Sequence, residues 1–203
     1  MLTLEQATQY MEQAKELMKQ AQYAQVIELL TPAAAAFEAA QYYEAHIQCL
    51  NKHSQCLWQS GKYEEGIEKA EKALELCLEH LGEEHEQTAK SYSNLGGCCN
   101  VKGKYDQAIS YFQQALTIYL AIFGEQHPDT ASSYNNLGIL YMYKGEYAQA
   151  ISYHQKALAI YLTTLGEQHP NTANSYNNLG ICYDDKREYT QAINYHQQAL
   201  TIR

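Results

Sequence analysis

The stretch GEQHPDTASSYNNLGILYMYKGEYAQAISYHQKALAIY, residues 124–161, recurs as GEQHPNTANSYNNLGICYDDKREYTQAINYHQQALTIR, residues 166–203. The two stretches are identical at 27 of 38 aligned positions. A weaker copy begins with GEEHE at Gly82, which precedes Gly124 by the same interval that separates Gly124 from Gly166. Self-similarity at a fixed period of this length indicates a solenoid built from one repeated supersecondary unit.

Each repeat has the pattern of two helices joined by a tight turn. Pro128 suits the first turn of a helix, where its missing N–H costs nothing, and bulky residues then recur at three- or four-residue spacing. Lys144 and Gly145 break this pattern, because glycine readily adopts the left-handed conformation that ends many helices. A second such segment runs from Tyr147 to Leu165. We call these segments helix A and helix B of the repeat.

Weaker copies extend the repeat towards the N-terminus, with GKYEEGI at Gly61 and AQYAQVI at Ala21. We expect residues 1–45 to form a diverged N-terminal helix pair or cap, and residues 46–203 to carry the 42-residue repeats, the last of them truncated. The sequence thus predicts an all-α fold, a right-handed superhelical α-solenoid of about five antiparallel helix pairs. Their predicted spans are 3–19/23–38, 41–59/63–80, 85–101/105–122, 127–143/147–164 and 169–185/189–203.

Composition argues against several classes of function. The net charge is −9 and only two arginines occur, whereas nucleic-acid binding needs clustered basic charge. Charged residues interrupt the N-terminus where a signal peptide needs an apolar stretch, and no apolar run approaches the length of a membrane span. The six cysteines lack zinc-site spacing, so we expect buried, reduced thiols and a cytoplasmic protein. They are Cys49, Cys56, Cys77, Cys98, Cys99 and Cys182.

Small residues recur at fixed places in both helices. Glycine stands in the middle of helix A, where it costs about 1 kcal/mol relative to alanine, and alanine stands at the place we expect to face it in helix B. This pattern predicts a close approach of the two helices, small residue against small residue. The residues are Gly96, Gly138 and Gly180 in helix A, and Ala108, Ala150 and Ala192 in helix B.

The repeat resembles the tetratricopeptide repeat. The residues that carry the resemblance are Leu137, Gly138, Tyr141, Gly145, Tyr147, Ala150, Ala157 and Leu158. The 42-residue period looks like the long-repeat branch found in kinesin light chains and in many bacterial signalling proteins, and the match covers residues 46–203 well and 1–45 loosely. The aromatic at Phe112 becomes histidine in the next two copies, and the turn glycine becomes Arg187 in the last. The resemblance implies a binding module whose helices A line a concave groove for peptides.

One stripe of helix A turns away from the predicted core and should line this groove. Asparagine recurs along it, and an amide offers both a donor and an acceptor to a ligand backbone. The alternative is that these asparagines only tie one helix A to the next. Differences between the last two copies along the stripe indicate either ligand-specific shaping or ordinary drift. The candidate groove residues are Asn51, Lys52, Trp58, Lys90, Asn94, Ser132, Asn135, Asn136, Ile139, Tyr143, Asn174, Asn177 and Asn178.

Two further features of the stripe have competing interpretations. Trp58, the only tryptophan, is either an aromatic anchor for a ligand or a core residue. Lys15, Lys19, Lys52 and Lys90 either give the N-terminal part of the groove a basic lip for an acidic or C-terminal carboxylate ligand, or belong to solvated helix faces.

Nothing in the sequence predicts catalysis, a metal or a cofactor. His85, His127 and His169 occur once per repeat, and neighbouring equivalent helices are about 8–10 Å apart, too far for one zinc ion to hold two of them. Helix capping and loop packing is the better interpretation of these histidines. Cys98 and Cys99 lie within a helix A with no histidine placed as a base, and no catalytic motif occurs.

The sequence therefore favours a non-enzymatic protein–protein interaction scaffold that binds a peptide or protein segment along the helix A groove. The alternative is a regulatory or sensor module of a larger signalling protein, with an effector such as a caspase-like protease or ATPase after Arg203. We expect no nucleic-acid or membrane partner. The final helix B has no polar capping helix after it, so self-association through this end is a further expectation.

Overall fold

The computed structural model describes residues 2–202, which form ten α-helices and no strand. The predicted five helix pairs are confirmed, with boundaries shifted by about two residues or fewer. The helices are α1 Leu4–Lys19, α2 Tyr23–Ala39, α3 Tyr43–Gln59, α4 Tyr63–His80, α5 Glu86–Val101, α6 Tyr105–Phe123, α7 Pro128–Tyr143, α8 Tyr147–Thr164, α9 Pro170–Asp185 and α10 Tyr189–Thr201. Odd-numbered helices are helices A and even-numbered ones helices B.

The loop before each helix A of the last three repeats is closed by the same two side chains. At α7, His127 is the N-cap, and its Nδ1 accepts a hydrogen bond from the backbone N–H of Asp129 at 3.2 Å. Thr130 then donates its hydroxyl to the carbonyl oxygen of Gly124 at 2.9 Å. His85 with Thr88, and His169 with Thr172, repeat both contacts at α5 and α9. The capping interpretation of the three histidines is confirmed.

The turn inside each hairpin needs one residue in the left-handed region. Glycine occupies it in three hairpins, for example Gly145 with φ of 76°. Arg187 takes the same place in the last hairpin with φ of 63°, and Ala21 in the first with φ of 55°. Both residues accept a conformation that costs a non-glycine residue about 1–2 kcal/mol, so the loss of the turn glycine leaves the hairpin intact.

The helices belong to two compact units, unit 1 at residues 1–111 and unit 2 at residues 112–203. In unit 1, each helix from α1 to α5 packs on the next, and α3 also contacts α5. In unit 2, α7 to α10 follow the same order, and α7 also contacts α9. Sequential packing with contacts between successive helices A is the pattern of an α-solenoid. That residues 1–45 form a diverged N-terminal helix pair or cap stays a prediction.

The structure corrects the expected contact between small residues in unit 2. A methyl group added at Gly138 would lie 2.6 Å from Cε1 of His154, so an imidazole and not Ala150 is the nearest group. Gly180 has the same relation to His196. The glycines of helix A make room for an imidazole ring of helix B. The ring is long enough to reach across the space between the two helices, whereas the methyl group of an alanine is not.

Three further predictions concern the cysteines, membrane-spanning helices and the apolar face of α10. All six cysteines are buried and free of disulfides. No helix within residues 2–202 has the length and apolarity of a membrane span. Tyr189, Ile193 and Leu200 of α10 are exposed apolar residues. Self-association through this face stays a prediction.

Candidate ligand-binding groove

Asn51 of α3 is the best-buried of the predicted groove residues in unit 1. Its Nδ2 donates to the carbonyl oxygen and to Oε1 of Gln87 on α5, at 3.1 and 3.2 Å. Its Oδ1 accepts from the Ser91 hydroxyl at 2.9 Å. Only 4% of Asn51 is exposed, so the amide joins α3 to α5 and has little surface left for a ligand.

Asn94 of α5 uses only half of its amide to join the two helices. Its Nδ2 donates to the carbonyl oxygen of Asn51 at 2.9 Å and approaches Asn51 Oδ1 at 3.3 Å. Its Oδ1 has no donor partner among residues 2–202, and the residue is only partly buried. The Asn94 nitrogen therefore ties the two helices together, whereas ligand contact by its oxygen stays a prediction.

Three lysines on successive helices A of unit 1 influence one another. Burial lowers the pKa of the Lys52 ammonium, and the charges of Lys90 and Lys15 lower it further. Lys15 is paired with Glu12 at 2.6 Å, and Lys90 is paired with Glu86. Lys52 has no carboxylate partner in the described part of the chain. It is a partly buried ammonium whose pKa is lowered by burial and by the charges of Lys90 and Lys15, and raised in part by the charge of Glu12.

Trp58 lies against a helix backbone at the end of α3. A methyl group at Gly97 of α5 would be 3.4 Å from Cε2 of the indole, so Gly97 provides the surface on which the ring rests. The indole Nε1 and Oδ1 of Asn100 are both buried without a hydrogen-bond partner in residues 2–202. Trp58 as a whole is only partly buried, and the choice between a ligand anchor and a core residue stays a prediction.

In unit 2, three of the predicted groove residues contact side chains of the helix B that follows them. The Ser132 hydroxyl contacts the Tyr161 hydroxyl at 2.9 Å and donates to the carbonyl oxygen of Pro128. Asn135 Oδ1 accepts from Nδ2 of Asn178 on α9 at 2.9 Å and lies 3.2 Å from Nδ1 of His154 on α8. Asn177 Oδ1 has the same 3.2 Å relation to Nδ1 of His196.

The remaining groove candidates of unit 2 differ in exposure. Tyr143 and Asn174 are exposed, whereas Asn136 and Ile139 are partly buried, so all four offer some surface. No group of three histidine, cysteine or acidic side chains in residues 2–202 is arranged to hold a metal ion.

Sequence reasoning missed the side chains that support the asparagines from behind. Gln87 and Ser91 support Asn51, while His154 and His196 support Asn135 and Asn177. The contact with the histidines could have been predicted from the sequence, because asparagine and histidine recur at one fixed spacing in both of the last two repeats.

Helix hairpins that repeat at a fixed period and stack with helix A beside helix A define an α-solenoid repeat protein. Residues 46–121, 88–163 and 129–203 match the sequence model of the tetratricopeptide repeat, so the chain belongs to the tetratricopeptide repeat family. A comparison with curated protein sequences finds no match.

Solved structures with the same fold include kinesin-light-chain-like proteins. BtubC (BKLC) from P. vanneervenii is 23% identical with a TM-score of 0.76, over 100% of this chain and 92% of that one. A putative kinesin light chain from Podosopora anserina, with nearly identical TPR-like repeats, is 20% identical with a TM-score of 0.76, over 100% and 97%. A Rap protein complexed with Competence and Sporulation Factor has a TM-score of 0.86 at 16% identity, over 100% and 55%. At these identities the likeness concerns the fold.

Proposed function

We propose that this chain is a non-enzymatic protein-interaction scaffold that binds a peptide segment along the surface formed by helices A. Membership of the tetratricopeptide repeat family and the Rap protein solved with a bound factor support binding as the general role. Nothing in the comparisons favours the alternative of a regulatory module attached to an effector enzyme.

The observation that carries the proposal is the unpaired ammonium of Lys52 in unit 1. Burial disfavours a charged group unless an opposite charge or a hydrogen bond compensates it; Lys52 forms no ion pair in the described residues, and the repulsion of Lys90 and Lys15 is only partly offset by the charge of Glu12. The open Oδ1 of Asn94, on the neighbouring helix, adds a hydrogen-bond acceptor. A peptide with a carboxylate for Lys52 and an N–H donor for Asn94 fits this chemistry.

The proposal is tested by selecting random 12-residue peptides for binding to the full chain and measuring the affinity of the enriched peptides by fluorescence anisotropy. We expect enrichment of acidic sequences. Lys52→Gln should weaken their binding by about tenfold, because a partly buried charge pair is lost.

Lys72→Gln is the matched control for this substitution. Lys72 lies on the exposed side of α4, where it pairs with Glu75 at 2.7 Å, and its removal should change the affinity less than twofold. The proposal fails if no peptide is enriched, or if enriched peptides bind both variants equally well.

A further inference from the structure

Two tyrosine rings meet between helix A and helix B in each of the last two repeats, repeat 4 (α7 and α8) and repeat 5 (α9 and α10). In repeat 4, the ring centroids of Tyr134 and Tyr153 are 6.1 Å apart, with 32° between the ring planes. In repeat 5, those of Tyr176 and Tyr195 are 6.3 Å apart at 31°. The two ring pairs therefore have the same geometry, and all four tyrosines are only partly buried.

A lysine ammonium lies over the ring pair of repeat 4. Lys156 follows Tyr153 by three residues on α8, so the two side chains share one face of that helix. The Lys156 Nζ is 5.3 Å from the ring centroid of Tyr134 and 5.9 Å from that of Tyr153. At distances up to about 6 Å a cation is attracted to the negative face of an aromatic ring. The protein itself therefore shows which chemical group suits this ring geometry.

Repeat 5 has the ring pair without the lysine. Gln198 stands at the position of Lys156, and its Nε2 donates to Asn194 Oδ1 at 3.1 Å. The one cation over a tyrosine of this repeat, among residues 2–202, is Lys186, which is 5.7 Å from the ring centroid of Tyr183. The ring pair of repeat 5 therefore has no cation of the described chain over it.

The ring pair keeps its spacing whether or not a lysine is present. In the repeat before these two, Tyr92 and Tyr111 have ring centroids 6.2 Å apart, and Gln114 stands at the position of Lys156. The lysine is therefore not what brings the rings together. A ring pair without it is already arranged for a cation, which lowers the cost of ordering the site on binding.

A carboxylate near each ring pair adds negative charge. Burial raises the pKa of the Tyr176 hydroxyl, and the charge of Glu167 raises it further. Burial and the charge of Glu125 raise the pKa of Tyr134 in the same way. The two glutamates are equivalent residues of the GEQHP segments. Repeats 4 and 5 therefore share two rings and a carboxylate, and differ in the lysine.

We propose that the space over the rings of Tyr176 and Tyr195, the tyrosine site, binds the ammonium group of a lysine side chain from a partner protein, as the equivalent rings bind Lys156 within the chain. A lysine suits the site because its methylene stem can lie on the rings while its head keeps its charge near Glu167. The net charge of −9 also attracts a basic partner.

The tyrosine site goes beyond the proposed function, because it takes a cation and does not depend on Lys52. It belongs to repeat 5, and its partner group has the opposite charge to the carboxylate proposed for Lys52. The two sites can therefore be tested with different probes in the same full-length chain.

The first test is a titration of the full chain, labelled with ¹³C in its tyrosine rings, with Nα-acetyl-lysine methylamide as the probe. The ring signals of Tyr176 and Tyr195 should shift together and saturate in the millimolar range, because a single cation–π contact gives weak binding. Nα,Nε-diacetyl-lysine methylamide has the same stem without the charge, and it should leave both signals unmoved. Equal shifts with the two compounds, or no shift with the charged one, would overturn the proposal.

The second test exchanges the residues that distinguish the two repeats. Gln198→Lys copies repeat 4 and should place an ammonium over the rings from within the chain, so that the shifts caused by the probe fall at least about fivefold. Lys156→Gln copies repeat 5 and should make the rings of Tyr134 and Tyr153 respond to the probe. The proposal is wrong if the Gln198→Lys variant binds the probe as well as the unmodified chain does.

Lys52→Gln separates this inference from the proposed function. It should leave the Kd for the lysine probe within about twofold, because Lys52 is not part of the tyrosine site. Binding of the probe at Tyr176 and Tyr195 without enrichment of acidic peptides would overturn the proposed function alone. Enrichment of acidic peptides that depend on Lys52, with no response of the two rings to the probe, would overturn this inference alone.

Discussion

Units 1 and 2 use the same helix hairpin to present different chemistry on helices A. In unit 1, Asn51 is consumed by its hydrogen bonds to α5, and Lys52 next to it is a cation without a partner. In unit 2, Asn135 Oδ1 accepts from Asn178 Nδ2 and lies 3.2 Å from Nδ1 of the buried His154 ring. The residues behind the surface therefore determine what an asparagine at the surface offers to a ligand.

The largest difference between the units should appear in acid. Burial lowers the pKa of His154 to about 4, below the ordinary value of 6.5 that applies to the unfolded chain. The unfolded chain takes up this proton first, so the contribution to stability is complete above pH 6.5 and is lost as the pH falls towards 4. The shift corresponds to about 3 kcal/mol.

This pH dependence is measured by urea denaturation between pH 7.5 and 4, comparing the unmodified chain with His154→Phe. The variant should lose about 3 kcal/mol less over this range. Burial also lowers the pKa of His46 and His53 in unit 1, but both remain in the two proteins and cancel in the difference. Equal pH dependence of the two proteins would show that His154 is not buried in its neutral form.

The second prediction compares two glycines in equivalent helices. Gly138→Ala in unit 2 would place a methyl group 2.6 Å from the His154 ring, and we expect a net loss of about 2 kcal/mol after the gain in helix propensity. Gly97→Ala in unit 1 meets Trp58 at 3.4 Å and should be nearly neutral. Thermal unfolding measures both effects.

The double variant Gly138→Ala/His154→Ala is the control for the contact itself. Removing the ring makes room for the new methyl group, so adding Gly138→Ala to His154→Ala should cost less than adding it to the unmodified chain. If Gly138→Ala destabilises the unmodified chain and the His154→Ala variant equally, the strain arises from a contact of α7 other than the one with His154.

The third prediction concerns the asparagines. Asn51→Ala should destabilise the chain by about 1.5 kcal/mol, because it leaves Ser91 and Gln87 without their partners in a buried place. Asn177→Ala, which removes a partly buried amide, should cost less than about 1 kcal/mol. Urea denaturation ranks the two, and a reversed order would contradict the assignment of a structural role to Asn51 and an open one to Asn177.

The smallest predicted effect has the opposite sign. Lys52→Gln should stabilise the free chain by about 0.5 kcal/mol, because it removes a partly buried charge that is repelled by Lys90 and Lys15. The gain should shrink as salt is added to screen the repulsion, and a denaturation series in NaCl measures this. Destabilisation at low salt would show that Lys52 has a compensating partner.

The sequence was sufficient to predict where the helices begin and end, because neighbouring residues determine the ends of a helix. His127, Pro128 and Gly145 act through their own backbone or that of near neighbours, so the order of residues along the chain reveals their roles. The regular period of the repeats then placed helix A beside helix A. Both predictions are confirmed without knowledge of any long-range contact.

The sequence could predict which face of helix A forms the groove, but not which amide atoms on that face are already hydrogen-bonded. Those hydrogen bonds depend on atoms from other helices. Helical periodicity places Asn51 and Asn135 on the same stripe, yet Asn51 is hydrogen-bonded to Gln87 and Asn135 contacts His154. Ala150 was expected opposite Gly138 because spacing alone ignores side-chain length, and an imidazole reaches farther than a methyl group. Such contacts follow from three-dimensional packing and not from the sequence pattern.

The buried cysteines have a practical consequence for attaching chemical labels. Burial raises the pKa of Cys56 and Cys182 to about 11, and of Cys49 and Cys98 to about 12. At neutral pH fewer than about one in a thousand of these thiols is the reactive thiolate. A fluorophore directed at thiols should therefore react with a cysteine introduced at exposed Asn174 long before it reaches the native ones. The protein can carry a reporter dye beside the proposed ligand surface without first being made cysteine-free.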